Sequence, residues 1–514
     1  MNKYLFVIIS VLLPLVGSAK VYDIRKMGAD AKGGAKCTHI IRKAIERASA
    51  DGGGTVYFPA GKYLTGPIHM KSNITLYLES GALVKFSDDF DDYLPYVNVR
   101  YEGIFMNTFS PLIYAKGAEN IAIKGEGEID GNGFKWWEAG KSVTAEVRQN
   151  GSVARPDKYQ RLWIEENPGL AGQAYFRNLY FRPPFIQFQE CNRVVIEGIT
   201  IRNSPFWTIN PEGCNDLKVH GVSIFNPSSN PKGPNTDGIN PSSCSNVRIS
   251  DCLISVGDDC ITIKSGRDHY GREYGRPCEN ITITNCVMQS GHGGVVIGSE
   301  MSGGVKDITI SNCVFNGTDN GIRLKSARGR GGVVENIRVD NIVMRDIGRD
   351  AFIFDLFYDK GSKEEPVTER TPIFRNIHVS NVTGIGINKI GYISGIEEMP
   401  VEELSFSHVN MVGKQGFSAN LAKNLHFVNV DFAVEQGPSF TFSDCDGVVL
   451  RDVRSKAPLA DQPVLKIDRS VNILVDGCFP KVFTPVFSET SGSTVVWGQN
   501  YFGLVGENGI AHKE

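Results

Sequence analysis

One four-residue unit, Asn or Asp followed by apolar, any and apolar, recurs nine times in this chain and sets what it can fold into. It reads at Asn120–Ile123, Asp216–Val219, Asn246–Ile249, Asn280–Ile283, Asp307–Ile310, Asn336–Val339, Asn376–Val379, Asn424–Phe427 and Asn472–Val475. From Asn246 to Asn376 the first residues of successive units are 34, 27, 29 and 40 residues apart. Short alternating segments bounded by Gly, Asn and Ser are strands rather than helices. A unit of this length holds about three short strands, one turn of a solenoid that buries its apolar face against its neighbours. A sandwich or propeller would space its strands more evenly. The expected fold is all-β, a right-handed parallel β-helix whose coils stack about 4.8 Å apart, so that residues in register become neighbours.

Two stretches depart from the pattern. Between Lys36 and Ala50 the apolar positions Ile40, Ile41, Ala44, Ile45 and Ala48 form a helical stripe, stopped by Asp51-Gly-Gly-Gly54. A helix here would cap the amino-terminal coil and cover its open strand edge. Residues 134–179 carry Trp136, Trp137 and Trp163 without a repeat, and are expected to be an insertion, a loop over a cleft or a packed side arm. Beyond Gly384 the repeat weakens, although Asn424 and Asn472 argue that coils continue. No linker marks a second domain, so residues 20–514 are expected to form one β-helix catalytic domain.

Residues 1–19 read as a secretory signal: Lys3, an apolar core from Tyr4 to Val16, and the small residues Gly17-Ser18-Ala19. The core is short of the roughly 20 residues a bilayer span needs, so the expectation is an exported periplasmic or extracellular monomer without membrane insertion. The net charge of −3 and the lack of a long Lys/Arg run argue against nucleic acid. The mature part holds all eleven cysteines. Cys191, Cys214, Cys244 and Cys278 share one repeat column, and Cys252, Cys286 and Cys313 another. Val305, Val334 and Phe374 take the first column elsewhere, and Val222 and Ile342 the second, so these cysteines are expected to be small core residues with free thiols. The absence of any Cys-x-x-Cys pair argues against a zinc site.

Three stretches align without a gap: Ser255–Gly266, Gln289–Glu300 and Asn316–Ala327. Asp258, His292 and Asp319 then share one column, Lys264 and Lys325 another, with Ile263, Ile297 and Leu324 as an apolar column between. Matching Asp237-x-Ile239 to Asp259-x-Ile261 stacks Asp237 on Asp259, beside Asp258. Three carboxylates this close repel, so at least one is expected to keep its proton unusually far up the pH scale. Glycoside hydrolysis needs such a pair, an acid for the leaving oxygen and a base for water; a calcium site is the competing use of three aspartates. His292, between Gly291 and Gly293, is placed to tune Asp258 or to bind a sugar hydroxyl. Arg323 and Lys325 share a strand face, and with Lys264 and Arg267 they suggest an anionic substrate, or ion pairs with the aspartates. The basic loop Arg328-Gly-Arg330 is the kind of segment that is most often only solvated.

These residues resemble glycoside hydrolase family 28, the polygalacturonase family, and its exo-acting bacterial members in particular. The four signatures of that family read here as Asn235-Thr236-Asp237, Gly257-Asp258-Asp259, Gly291-His292-Gly293 and Arg323-Leu324-Lys325, with Leu324 in place of Ile. Gly52–Gly61 and Ile129-Asp130-Gly131 also resemble the amino-terminal part of the family, and the likeness spans about residues 21–360. The resemblance implies a pectin-lyase-like solenoid that hydrolyses α-1,4-galacturonosyl linkages of homogalacturonan with inversion and without a cofactor. Asp258 would be the general acid, and Asp237 and Asp259 the water-activating pair. Inversion usually goes with carboxylates roughly 6.5–9.5 Å apart. His292 would support the acid, while Arg323, Lys325 and Tyr358 would bind the substrate. Ile297–Gly304 resembles the exo-acting branch, and the 134–179 insertion could close one end of the cleft. Rhamnogalacturonan or xylogalacturonan hydrolysis is the nearest alternative, and a Ca²⁺-dependent pectate lyase a more distant one.

Overall fold

The computed structural model describes residues 20–459, 462–478 and 488–500; the signal segment lies outside them. The expected parallel β-helix forms, and its turns explain the repeat. The first residue of all nine units, from Asn120 to Asn472, has φ between +52° and +59°. Asn and Asp tolerate that left-handed conformation better than other residues with a side chain. The following apolar residues then point inward: Val247 and Ile249, Ile281 and Ile283, and Ile308 and Ile310 are all buried.

Each coil contributes to three faces. On the first, Asn192–Glu197, Asn215–His220, Ser245–Ser250 and Cys278–Thr284 pair in register. On the second lie Thr200–Arg202, Ser223–Phe225, Leu253–Ser255 and Val287–Ser290. The third carries Asp259–Ile263, Gly293–Gly298, Ile322–Lys325 and Asp350–Asp355. Beyond Gly384 the coils do continue. There the strands Ile373–Ser394, Val401–Asn420 and Ala422–Ser443 run long and in register, and the stack reaches Val495–Trp497. The repeat fades because several left-handed corners there are taken by residues other than Asn or Asp, among them Glu403 at φ +59°, His408 at φ +55° and Leu421 at φ +52°.

All eleven cysteines are buried and free, and the seven assigned to columns stack as expected. Their thiols donate to carbonyls of the same or the preceding coil, as from Cys214 to Phe188 O at 3.1 Å and from Cys244 to Pro211 O at 3.3 Å.

Helix α1 (Thr38–Ala50) buries Ile41, Ala44, Ile45 and Ala48 against the first coils. It begins two residues later than its stripe suggests, because Lys36 ends the strand Lys32–Lys36. The 134–179 insertion is a packed arm of two helices, α2 (Phe134–Asn150) and α3 (Lys158–Glu166), the latter opened by an Asp157/Gln160 capping box. Trp136 stacks on Phe90 within the main core. Trp163 joins a second small core with Val99, Tyr101, Ile104, Met106, Phe176, Phe181, Phe206 and Trp207. Four of these come from an antiparallel hairpin, Val97–Tyr101 with Ile104–Thr108, which the repeat pattern gave no reason to expect.

Candidate active site

The polar columns of the sequence become neighbours on the third face. Asp259 lies opposite Gly293, which sets Asp258 beside His292; Gly298 lies opposite Lys325. The bridge from Ile239 to Ile261 stacks Asp237 on Asp259. Each signature has a local cause. Asn235 takes φ +54° and accepts from Arg182 at 2.7 Å, and the buried Thr236 hydroxyl donates to Gly233 O at 2.7 Å. A Cβ at Gly257 would lie 2.2 Å from Gly233 O, and one at Gly291 2.6 Å from Asp258 O. Both glycines therefore let backbone approach the carboxylates where any side chain would collide.

The nearest oxygens of Asp237, Asp258 and Asp259 all lie within 4.8 Å of one another. This is tighter than the spacing usual for inversion. Asp237 and Asp259 are buried, whereas the Asp258 side chain keeps 18% of its exposure and faces the groove. Asp258 Oδ1 accepts from the Asp259 backbone N–H at 3.0 Å and contacts His292 Nδ1 at 3.1 Å. Burial, and then the neighbouring Asp258 charge, push Asp237 well above the usual carboxylate range. Asp258 moves the other way. Burial opposes its ionisation, but the His292 hydrogen bond, with the Lys325 and Lys264 ammoniums, outweighs it. The two shifts run in opposite directions and make Asp237, rather than Asp258, the carboxyl that favours its proton in the free site.

Lys325 Nζ holds Asp259 Oδ2 at 2.9 Å. Asp259 Oδ1 and Arg323 Nε are buried without a hydrogen-bond partner, the state expected of groups that await a ligand. The Tyr358 ring is exposed and lies 5.6 Å from the Arg323 guanidinium and 5.9 Å from Lys325 Nζ. Three carboxylates at this spacing could attract a divalent ion. However, Ca²⁺ takes 6–8 oxygen ligands, and here Asp259 is already paired with the Lys325 ammonium.

Lys264 and Arg267 are engaged in ion pairs. Lys264 is buried against Glu300 at 2.7 Å and beneath Trp207. Burial works against its charge, yet Glu300 and the aspartates hold it above the usual lysine range. Arg267 stacks on Tyr175 at 3.8 Å and reaches Glu102 at 3.5 Å, Asp268 at 3.6 Å and Glu300 at 3.7 Å. These contacts tie the hairpin tip and the helical arm to the catalytic coil, and Tyr175 also bonds Glu102. Behind them Arg100 and Glu212 form a buried pair at 3.1 Å. Arm and hairpin thus pack against the amino-terminal side of the catalytic coil. The basic loop is also neutralised: Arg328 pairs with Glu397 and Glu398, and Arg330 with Asp268.

One residue of the site escaped the sequence reading. Lys232, on the irregular loop before Asn235, places Nζ 2.6 Å from His292 Nε2. An ammonium only donates, so Nε2 accepts and Nδ1 carries the proton turned to Asp258. No repeat position could have shown it.

The family model described as "Glycosyl hydrolases family 28" matches residues 172–431, and one described as "Rhamnogalacturonase A/epimerase, pectate lyase-like" matches residues 21–94. A probable polygalacturonase of Vitis vinifera is 29% identical over 77% of this chain and 74% of its own. An exo-poly-alpha-D-galacturonosidase of Dickeya chrysanthemi is 27% identical over 80% and 71%. Among solved structures, a hyperthermoactive exopolygalacturonase of Thermotoga maritima superposes with a TM-score of 0.70 at 33% identity, covering 80% of this chain and 91% of that one. With the four signatures gathered on one face, the chain belongs to glycosyl hydrolase family 28, the polygalacturonase family, and is a glycoside hydrolase.

Proposed function

We propose that this hydrolase is exported and removes galacturonate units from one end of homogalacturonan or its oligosaccharides, with inversion. The observation that carries this reading is the cluster of three carboxylates with Arg323 and Lys325 beside it, and the packed arm and hairpin, which in this reading wall the amino-terminal end of the groove, support it. Asp258, the half-exposed member, gives its proton to the glycosidic oxygen through Oδ2, since Oδ1 is occupied. Asp237 and Asp259 take the proton of the water that attacks the anomeric carbon from the opposite face. Substrate entry excludes water and brings a further carboxylate, both of which favour moving the proton of the cluster onto Asp258. Arg323, Lys325 and Tyr358 bind the galacturonate carboxylate and ring, while Lys264 and Arg267, already paired, add positive potential. The arm and hairpin support exo-cleavage, as does the similarity to exo-acting relatives in Thermotoga and Dickeya.

A time course on polygalacturonic acid, with the anomer of the first product followed by NMR, tests each part. Saturated mono- or digalacturonate from the outset, formed with inverted configuration, is the expected result. A ladder of oligomers would make the enzyme endo-acting. Retained configuration would turn one aspartate into a nucleophile, as the close carboxylates would suggest by the usual spacing rule. Turnover confined to rhamnogalacturonan or xylogalacturonan would move the substrate, and unsaturated products would refute hydrolysis.

A further inference from the structure

The groove does not end at Arg323. Strand pairing continues the column of Asp237 and Asp259 through Gly293, Asn320 and Asp350 to Lys389, four coils beyond Asp259. The adjacent column runs from Thr262 through Val296, Arg323 and Ile353 to Tyr392. Lys389 thus lies four coils, about 19 Å, beyond Asp259 in the column of the catalytic pair, and Tyr392 two coils, about 10 Å, beyond Arg323 in its own.

Like Arg323 and unlike most cations near the site, Lys389 has no ion pair among the described residues. Lys389 is half-buried, with Nζ 4.8 Å from the centroid of the Tyr392 ring. No ion pair or hydrogen bond of its ammonium is found among the described residues, whereas Lys264, Arg267, Lys325, Arg328 and Arg330 are all paired. Asp350, its neighbour in the column, is too far for a salt bridge and is itself pushed up by burial. The Tyr392 hydroxyl donates to Asp355 at 3.1 Å, which fixes the ring. Arg349, exposed and also without an ion-pair partner among the described residues, sits next to Lys389, whose N–H donates to Arg349 O at 2.7 Å. A half-buried ammonium over an aromatic face, with the Asp350 charge nearby but no direct ion pair, is suited to an external anion.

The geometry points to a distal uronate subsite, in which Lys389 with Arg349 binds a second carboxylate of the substrate and Tyr392 packs against its sugar. This rests on the proposed function. The wall closes the amino-terminal end, so the rest of the chain must leave along these later coils. A disaccharide with its scissile bond at Asp258 ends near Arg323, and only a longer oligogalacturonide reaches Lys389.

The test is kcat/KM on digalacturonate and on tetragalacturonate for the wild type, Lys389→Gln, Lys389→Arg and Arg349→Gln. For Lys389→Gln the tetra-to-di ratio should fall about tenfold, mostly through KM, the equivalent of about 1.4 kcal/mol. Lys389→Arg should restore most of it, and Arg349→Gln should shift it less in the same direction. An unchanged ratio in Lys389→Gln, whether both substrates slow equally or neither does, would overturn the subsite. Failure of the wild type to cleave either substrate would instead refute the proposed function, and the subsite with it.

Discussion

The assignment of the acid is the sharpest point to test, because two arguments place the proton differently. The family resemblance makes Asp258 the donor, whereas in the free site burial holds the proton on Asp237. Asp258→Asn and Asp237→Asn separate the two. In Asp258→Asn the amide oxygen can still accept from the Asp259 N–H and from His292, the two contacts that Oδ1 makes now. The fold of the site is therefore kept, and what is lost is the proton carried by Oδ2. General acid–base assistance is worth about 10²–10⁴-fold, or about 2.7–5.4 kcal/mol of barrier at 1.36 kcal/mol per tenfold. That loss should depend on the leaving group. A sugar alkoxide needs a proton in the transition state and a nitrophenolate hardly does. Asp258→Asn should thus lose the full factor on oligogalacturonides and regain most of it on 4-nitrophenyl α-galacturonide. Asp237→Asn, lacking part of the water-activating pair, should stay slow on both. If instead Asp237→Asn is rescued by the nitrophenyl substrate and Asp258→Asn is not, the roles are reversed and the free-site electrostatics identify the acid.

Three further outcomes follow from the same contacts. Lys325→Met leaves Asp259, with 1% of its side chain exposed, without its ammonium; breaking a buried pair costs about 3–5 kcal/mol, seen as faster thermal inactivation. Adding Asp259→Leu should recover stability but not turnover, and equal inactivation of Lys325→Met and wild type would refute the pairing. The raised Asp237 carboxyl binds a proton in the native state that the unfolded chain has already released, so stability falls as pH climbs above the ordinary carboxylate range. Asp237→Asn should accordingly melt above the wild type at about pH 7, and the gap should close toward about pH 4, the ordinary carboxylate pKa; identical melting curves across that range would count against a buried proton. Lys232→Met frees His292 Nε2 from its donor and should lower kcat/KM about tenfold, as expected for one charge-assisted hydrogen bond, while reshaping the pH profile. A uniform drop with an unchanged profile would leave Lys232 a loop residue only.

What the sequence disclosed and what it hid divide along physical lines. A solenoid writes its repeat into the chain because most of its left-handed corners carry Asn or Asp and every unit an inward apolar pair; the nine units were visible for that reason, and the alignment that stacked Asp258 on His292 used only those constraints. Chemistry carried by columns was equally legible, since a register that fixes Ile263 against Ile297 also fixes the polar residues beside them. Contacts between an element of the stack and one outside it leave no such trace. Glu102, Tyr175 and Arg267 lie far apart in the chain and meet only because a hairpin and a helical arm fold back on the coil. The helices themselves gave little warning: α2 buries only Trp136, Trp137 and Val147, too few for a stripe, and Asp157 with Gln160 is a cap signal easily lost in a polar stretch. Lys232 sits on a loop with no register at all. The location of the proton was hidden for another reason, because repulsion among three aspartates says only that one of them stays protonated. Which one is set by depth, and depth comes from the neighbours: Asp237 lies beneath the groove with one Thr262 hydroxyl at 3.3 Å, while Asp258 at the surface has His292. The same division explains why Lys389 stayed unread. Its column is continuous with the catalytic one, but it falls after Gly384, where left-handed corners carried by Glu403, His408 and Leu421 in place of Asn or Asp conceal the register.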